Sequence, residues 1–298
     1  MNLWRRALHI ETQKIDDDEA DRASRSWSPL RIEQLKRRMD RALAGGAQPV
    51  VRGEPGYPSA WTRLRSPPVG AWFAGKWEQT TRRIGIIGSR AAPPAVRRRV
   101  EEYAARCVAL GEQVVSGAAV GVDTAAHRGA RAKGSVAVIP FGIEDDRIGQ
   151  GQVAQQLILG FDGAIWCASL LRQGARARYV ARNRLLAALC DRLVVAYAAR
   201  RSGSMHTVRF SQQLNLPIEA WWDSGDPPMN DGCRSLHRFN EPLQSNLRDL
   251  LKALEEAKGV VASLPCDASS TRTLELFELE CGGWIRRVGP GQYVCERK

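Results

Sequence analysis

Apolar positions along this chain fall into short runs separated by stretches with helical spacing. Ile84, Ile86 and Ile87, with Gly85, make a run that stops at Gly88-Ser89-Arg90, the pattern of a buried strand. After Pro93-Pro94, the residues Val96, Val100, Tyr103, Ala104, Cys107, Val108 and Leu110 are spaced for one helical face, and Gly111 stands at the C′ position. Val114-Val115 then ends in Ser116-Gly117, which completes a βαβ unit of a parallel sheet. Further strands are expected at 135–140, 164–167, 193–196 and 217–220. Helices are expected from the turn at Asp123, within 144–162, at 185–190 and at 208–214, with a loop over 170–184. This alternation predicts an α/β fold, doubly wound around a mainly parallel sheet.

The flanks read differently. Residues 1–48 are polar and charged, and the stretch from Ile15 to Arg22 reads as solvated or disordered. Pro29 opens a basic amphipathic helix with Leu30, Leu35, Met39 and Leu43 near one face, ended by Gly45-Gly46 and expected to pack on the main domain. The lead-in 49–80 is rich in Pro and Gly, with Trp61, Trp72, Phe73 and Trp77 interleaved. Packing over the sheet edge is weighed above base stacking for these rings. A linker follows Asp223, then a helix within 241–259. The tail offers a helix, Gly282-Gly283, and a basic hairpin built on 284–288 and 293–294. Helix then hairpin resembles the end of a winged helix, cut short. Three units follow: 1–48, a main domain over 49–225, and a C-terminal winged-helix-like unit over 226–298.

Charge changes the picture. Among 298 residues, 44 Lys and Arg face 32 Asp and Glu, a net charge of +12. That favours an anionic partner, nucleic acid before membrane, over a merely solvated surface. Nine arginines (172, 176, 178, 182, 184, 192, 200, 201 and 209) lie between 172 and 209 against one acid, Asp191, which places the charge at one edge of the fold. The seven cysteines show no CxxC pairing, as in a reduced interior. No apolar stretch is long enough to cross a bilayer and no signal core is present, so a cytoplasmic protein is expected.

In open α/β sheets ligands sit beyond the C-terminal strand ends. The turns expected there are Gly88-Ser89-Arg90, Ser116-Gly117, Phe141-Gly142, the Arg176–Arg184 stretch and Ser202-Gly203-Ser204. The last of these opens a helix and forms an anion nest. Arginine suits phosphate because its planar fork binds two oxygens. Tyr179 can stack on an unpaired base or serve as a core-edge aromatic. Asp123 reads as a helix-dipole partner somewhat ahead of a ligand. His127 has no second His or Cys at metal spacing. No GxSxG, HExxH, Walker or GxGxxG motif occurs, so no catalytic residue, metal or cofactor is expected.

Five pieces in order, YPSAWTRLRSPP, IGIIGSR, VVSGAAVGVDTAAH, ARNRLLAALCDRLVVAYAARRSGSMHT and NDGCRSLHRF, resemble the DNA-processing protein A family (DprA, also called Smf). The resemblance implies an extended Rossmann-like domain that binds single-stranded DNA without enzymatic activity. It further implies a homodimer that coats incoming DNA in natural transformation and helps load the RecA recombinase. The family's binding positions fall on Arg90, Arg176, Tyr179, Arg182, Asn183, Arg184, Ser202, Gly203, Ser204 and Thr207. With the turns, Gly88, Ser89, Ser116 and Gly117 join them. Tyr179 stands where the family usually has Phe, Cys167-Ala168 replaces its Ser-Glu, and the N-terminal segment is unrelated to the family's. The rival is a nucleotide-binding or phosphoribohydrolase member of the same superfamily, the "lonely guy" type. Its PGGxGTxxE motif is replaced here by RRSGSMHT. A third reading is double-stranded DNA recognition by the tail hairpin.

Overall fold

A computed structural model describes residues 2–76, 82–131, 135–143, 163–170, 176–222, 228–239, 285–289 and 292–295. Its centre is an eight-stranded sheet ordered β1-β2-β6-β5-β4-β3-β7-β8. The strands are β1 (Gln48–Val51), β2 (Gly70–Gly75), β3 (Arg83–Gly88), β4 (Gln113–Ser116), β5 (Ser135–Ile139), β6 (Ala164–Cys167), β7 (Arg192–Tyr197) and β8 (Ile218–Ala220). From β6 to β8 every pairing is parallel, whereas β1–β2 and β2–β6 are antiparallel. The chain steps outward from β3 to β6, then returns to lay β7 on the other side of β3. The order therefore reverses between β3 and β7, and a crevice opens beyond the strand ends at such a point.

Buried strand residues alternate between two faces. On one, Ile87, Val115, Val136, Val138, Trp166, Leu193 and Val195 pack under α6 (Arg176–Leu189) and α7 (Ser204–Gln213). On the other, Ile84, Ile86, Val114 and Val194 pack under α4 (Pro94–Ala109) and α5 (Val122–Gly129). Farther along that second face, Trp72, Ala137, Ile139 and Ile165 meet α1 (Leu3–Thr12) and α3 (Pro29–Ala44). The doubly wound α/β fold is as expected.

Several local expectations give way. The stretch 176–184, read as loop, is the first half of α6. Its residues are good helix formers without Gly or Pro, but arginines at its sheet-facing positions hide the apolar face. The acidic stretch, read as solvated or disordered, holds α2 (Asp17–Arg25), capped by the Asp16 side chain on the Glu19 amide, with Asp17, Asp18 and Glu19 complementing the dipole. Leu3–Thr12 is helical as well and buries Ala7, Leu8 and Ile10. In α3, Leu35 is fully buried and Met39 and Leu43 pack against the core, but Leu30 at the first turn is exposed. The lead-in adds β1 and β2 to the sheet rather than only covering its edge. Trp61 and Trp72 are fully buried, and Trp61 donates to the Leu185 carbonyl at 3.0 Å. Trp61, Trp72 and Phe73 thus pack against the core, and Trp77 lies outside the described residues.

Beyond β8, Pro228–Asn230 forms a 3-10 turn that leads into α8 (Asp231–Phe239). Asn230 accepts from the Ala198 amide and donates to the Trp221 carbonyl, both at 3.0 Å, and Cys233 and Leu236 join the core under β7 and β8. The tail hairpin pairs β9 (Ile285–Gly289) antiparallel with β10 (Gln292–Cys295). The helices expected within 144–162 and 241–259, and the rest of the winged-helix-like unit, lie outside the described residues. Among the described residues no helix is long and apolar enough to cross a membrane.

Candidate nucleic-acid interface

The crevice at the switch point has a volume of about 440 Å³. Each parallel strand delivers its following helix to this edge, so α5, α6 and α7 all begin here, their positive dipole ends together. Gly88, Ser89 and Arg90 close one wall. Ala119 and Asp123 come from the start of α5, and Tyr179, Arg182, Asn183 and Leu186 from α6. Ser202, Gly203, Ser204 and Thr207 come from the start of α7. Short bonds hold the walls in register: the Ser89 amide to the Tyr197 carbonyl (2.7 Å), Ser204 Oγ to the Gly88 carbonyl (3.1 Å), and Asn183 Nδ2 to the Gly203 carbonyl (3.1 Å). Gly121 lies at φ +86° beneath the Ser89-Arg90 turn, where a Cβ would meet the Ser89 carbonyl at 2.5 Å.

No side chain caps the N-terminus of α7. Arg90 is exposed and its guanidinium carbon lies 5.8 Å from the centre of the Tyr179 ring, itself 39% exposed. An exposed cation, an aromatic face and an uncapped helix end therefore share one mouth. This set can hold a phosphate and stack a base.

The floor is a different environment. Arg182 is 8% exposed and donates from Nη1 to the Val138 carbonyl at 3.0 Å. Its Nε is buried without a hydrogen-bond partner. Asp123 is buried and accepts from the Ala119 amide at 3.2 Å. Burial lifts the Asp123 carboxyl above its usual range, opposed first by the charge of Arg182 and then by the Ala119 amide, Ser116 hydroxyl and Gly117 amide. Burial also pulls Arg182 down, opposed by Asp123, yet a guanidinium stays charged. A Cβ on Gly117 would fall 1.7 Å from Arg182 Nη1 and 2.6 Å from Asp123 Oδ2, so only glycine leaves room for this pair. Ser116 is fully buried and donates to the Ile86 carbonyl at 2.7 Å. Ser116 and Gly117 thus support the floor and are not among the residues that line the crevice.

His127 sits behind the floor with Nδ1 2.6 Å from Ser135 Oγ. Burial, then Arg182, lowers its pKa to about 3. The unfolded chain, at about 6.5, therefore binds the extra proton first, and stability present above pH 6.5 is lost as pH falls toward 3. From pH 7 to pH 5 this residue should remove about 2 kcal/mol of unfolding free energy. His127→Gln should flatten the pH dependence of the urea midpoint by that amount, and an unchanged slope would refute the assignment. Among the described residues no group of three His, Cys, Asp or Glu could hold a metal.

The arginines do not gather at one edge. Arg192 starts β7 at the opposite edge, paired with Glu112 at 2.7 Å and donating to Tyr103. A strand of six residues carries the chain about 20 Å across the sheet, so neighbours in sequence are separated. Arg178 donates to the Pro140 carbonyl, Arg184 to the Ser66 carbonyl, and Arg200 to Ser235 beside Asp231. Arg184 therefore turns toward the lead-in and away from the crevice. Arg176 opens α6, its side chain outside the described residues, as is Arg172. The apolar part of the lining, Ile87, Ala119 and Leu186, carries no signal in sequence separate from the core.

The chain is similar to several known proteins. A model of the family described as DNA recombination-mediator protein A matches residues 48–255. Protein Smf of Borreliella burgdorferi is 26% identical over 213 residues, 70% of this chain and 67% of that protein. DNA processing protein DprA of Streptococcus pneumoniae is 28% identical over 216 residues, 67% of this chain and 71% of that protein. A solved structure of DNA processing protein A from Helicobacter pylori, reported for its single-stranded DNA binding mode, superposes with a TM-score of 0.58. It is 24% identical, over 70% of this chain and 96% of that one, and this likeness shows the fold.

Proposed function

The chain belongs to the DNA recombination-mediator protein A family, and on that premise we propose that it binds single-stranded DNA without catalysing a reaction. The observation that carries the reading is the meeting of Arg90, the Tyr179 ring and the uncapped start of α7 in one crevice at the strand switch point. In this proposal Arg90, Arg176 and the Ser202–Thr207 turn hold phosphates, Tyr179 stacks on a base, and Asn183 keeps α6 against the turn. Arg182 acts from below as a fixed cation. Arg184 and the Ser116-Gly117 turn contribute by shape. The named activity of the Helicobacter pylori protein supports the same ligand.

A labelled oligothymidylate should bind tighter than a duplex of equal length in competition. With about three phosphates neutralised, its affinity should fall about 20-fold between 50 and 200 mM salt. Equal or better competition by the duplex would move the site to the tail hairpin. Release of free base from a nucleoside monophosphate would instead revive the phosphoribohydrolase reading. A second copy of the chain and a RecA-type recombinase complete the proposed set of partners; sizing by light scattering and co-purification on DNA test each.

A further inference from the structure

Residues 2–47 lie ahead of the stretch that the family model matches, yet two of their helices both hold Leu170 within it. Glu11, near the end of α1, is 6% exposed. One carboxylate oxygen accepts from the Leu170 amide at 2.7 Å and the other from the Ser169 hydroxyl at 2.5 Å. Arg38 of α3 donates to the Leu170 carbonyl at 2.6 Å. Both backbone groups of Leu170 are thus held by N-terminal helices, and its side chain is fully buried in the cluster that contains Ala7, Ile10 and Leu35.

Apolar contact alone would dock these helices. Ala7, Ile10, Leu35 and Ala42 already bury themselves against β2, β5 and β6. A buried carboxylate is a poor adhesive, because desolvation offsets most of its gain. What it contributes is direction: two charge-assisted bonds to adjacent residues of one segment. That segment follows β6 directly and precedes α6, the helix that carries Tyr179 and Arg182.

We propose that Glu11, assisted by Arg38, is a positioning residue for the crevice: it fixes the Ser169-Leu170 segment, which precedes α6 in sequence, and through the placement of α6 sets Tyr179 opposite Arg90. The inference rests on the crevice being the DNA site. It gives the N-terminal helices a part in binding.

The test uses the full chain with E11A, E11Q, Y179A and the E11A/Y179A double variant. Binding is read by fluorescence anisotropy on oligothymidylate, and local opening by hydrogen–deuterium exchange. E11A should weaken binding about fivefold, within the coupling expected of linked groups. E11Q should recover most of it, since its amide can still accept from Leu170 and donate to Ser169. Adding E11A to Y179A should cost less than about twofold more, because the two act along one path. Exchange should quicken in α6 of E11A and stay unchanged in α4 and α5. Wild-type affinity in E11A while Y179A is impaired, full additivity, or uniformly faster exchange would overturn the proposal. If Y179A itself binds normally, the crevice reading fails, and the α6 exchange still decides whether Glu11 positions that helix.

Discussion

Removing Arg90 and the Tyr179 ring together is expected to weaken binding of single-stranded DNA about 100-fold while leaving the fold intact. Stacking of one base on an aromatic ring contributes about 1–3 kcal/mol, and a charge-assisted contact to phosphate about 1.5–3 kcal/mol. Both side chains are exposed enough that neither supports the core. The Arg90 guanidinium lies over the Tyr179 ring, so the two should couple rather than add. Tyr179→Phe keeps the ring and should bind within about twofold of the parent. Arg90→Ala alone should weaken all sequences alike and lower the salt slope by about 0.7. Anisotropy titrations at two salt concentrations, with urea midpoints as the control for folding, read each of these. Parental affinity in the double variant would remove the crevice from consideration.

Arg182→Ala should behave in the opposite way, lowering the melting temperature by about 10 °C. Its guanidinium and Asp123 are both buried beneath the crevice and act on each other's charge. Taking away one partner leaves the other ionised or forces a proton onto it, a loss of about 3–5 kcal/mol. For a unit of this size each kcal/mol moves the midpoint by about 2–4 °C. The double variant Arg182→Met with Asp123→Asn removes both charges and keeps an acceptor for the Ala119 amide. It should recover about 2 kcal/mol relative to Arg182→Met alone. Arg98 is exposed on α4 and serves as the reference. A loss in Arg182→Ala no larger than in Arg98→Ala would show that the floor is not built on this charge. Weaker DNA binding in Arg182→Ala has to be read beside that loss of stability.

The residues that look alike in sequence separate here by environment. Arg90 and Arg182 both occur in motifs shared with the family, and both read as phosphate ligands. One ends up exposed at the mouth, the other 8% exposed with its Nη1 on the Val138 carbonyl. Ser116 and Ser204 both follow or precede a glycine in a turn. The first donates down to Ile86 inside the sheet, the second across to Gly88 at the crevice wall. Burial depends on which elements lie above a residue, and a local pattern carries no such information.

Local pattern sufficed where a single element imposes its own period. The apolar runs at 84–87, 114–115, 136–139 and 193–196 became central strands, because such runs find burial on both faces only inside a parallel sheet. The turns Gly88-Ser89-Arg90 and Ser202-Gly203-Ser204, which follow the first and last of these runs, line the crevice, because strand ends at a switch point gather there. Tertiary structure alone decided the rest. It turned 176–184 into helix by giving Arg182 and Asn183 buried partners, and it sent Arg192 to the far edge through the length of β7. It also drew a charged N-terminal segment onto the sheet, where Glu11 and Arg38 meet residues more than a hundred positions away. Contacts of that separation depend on the closed chain, and no window along the sequence contains both partners.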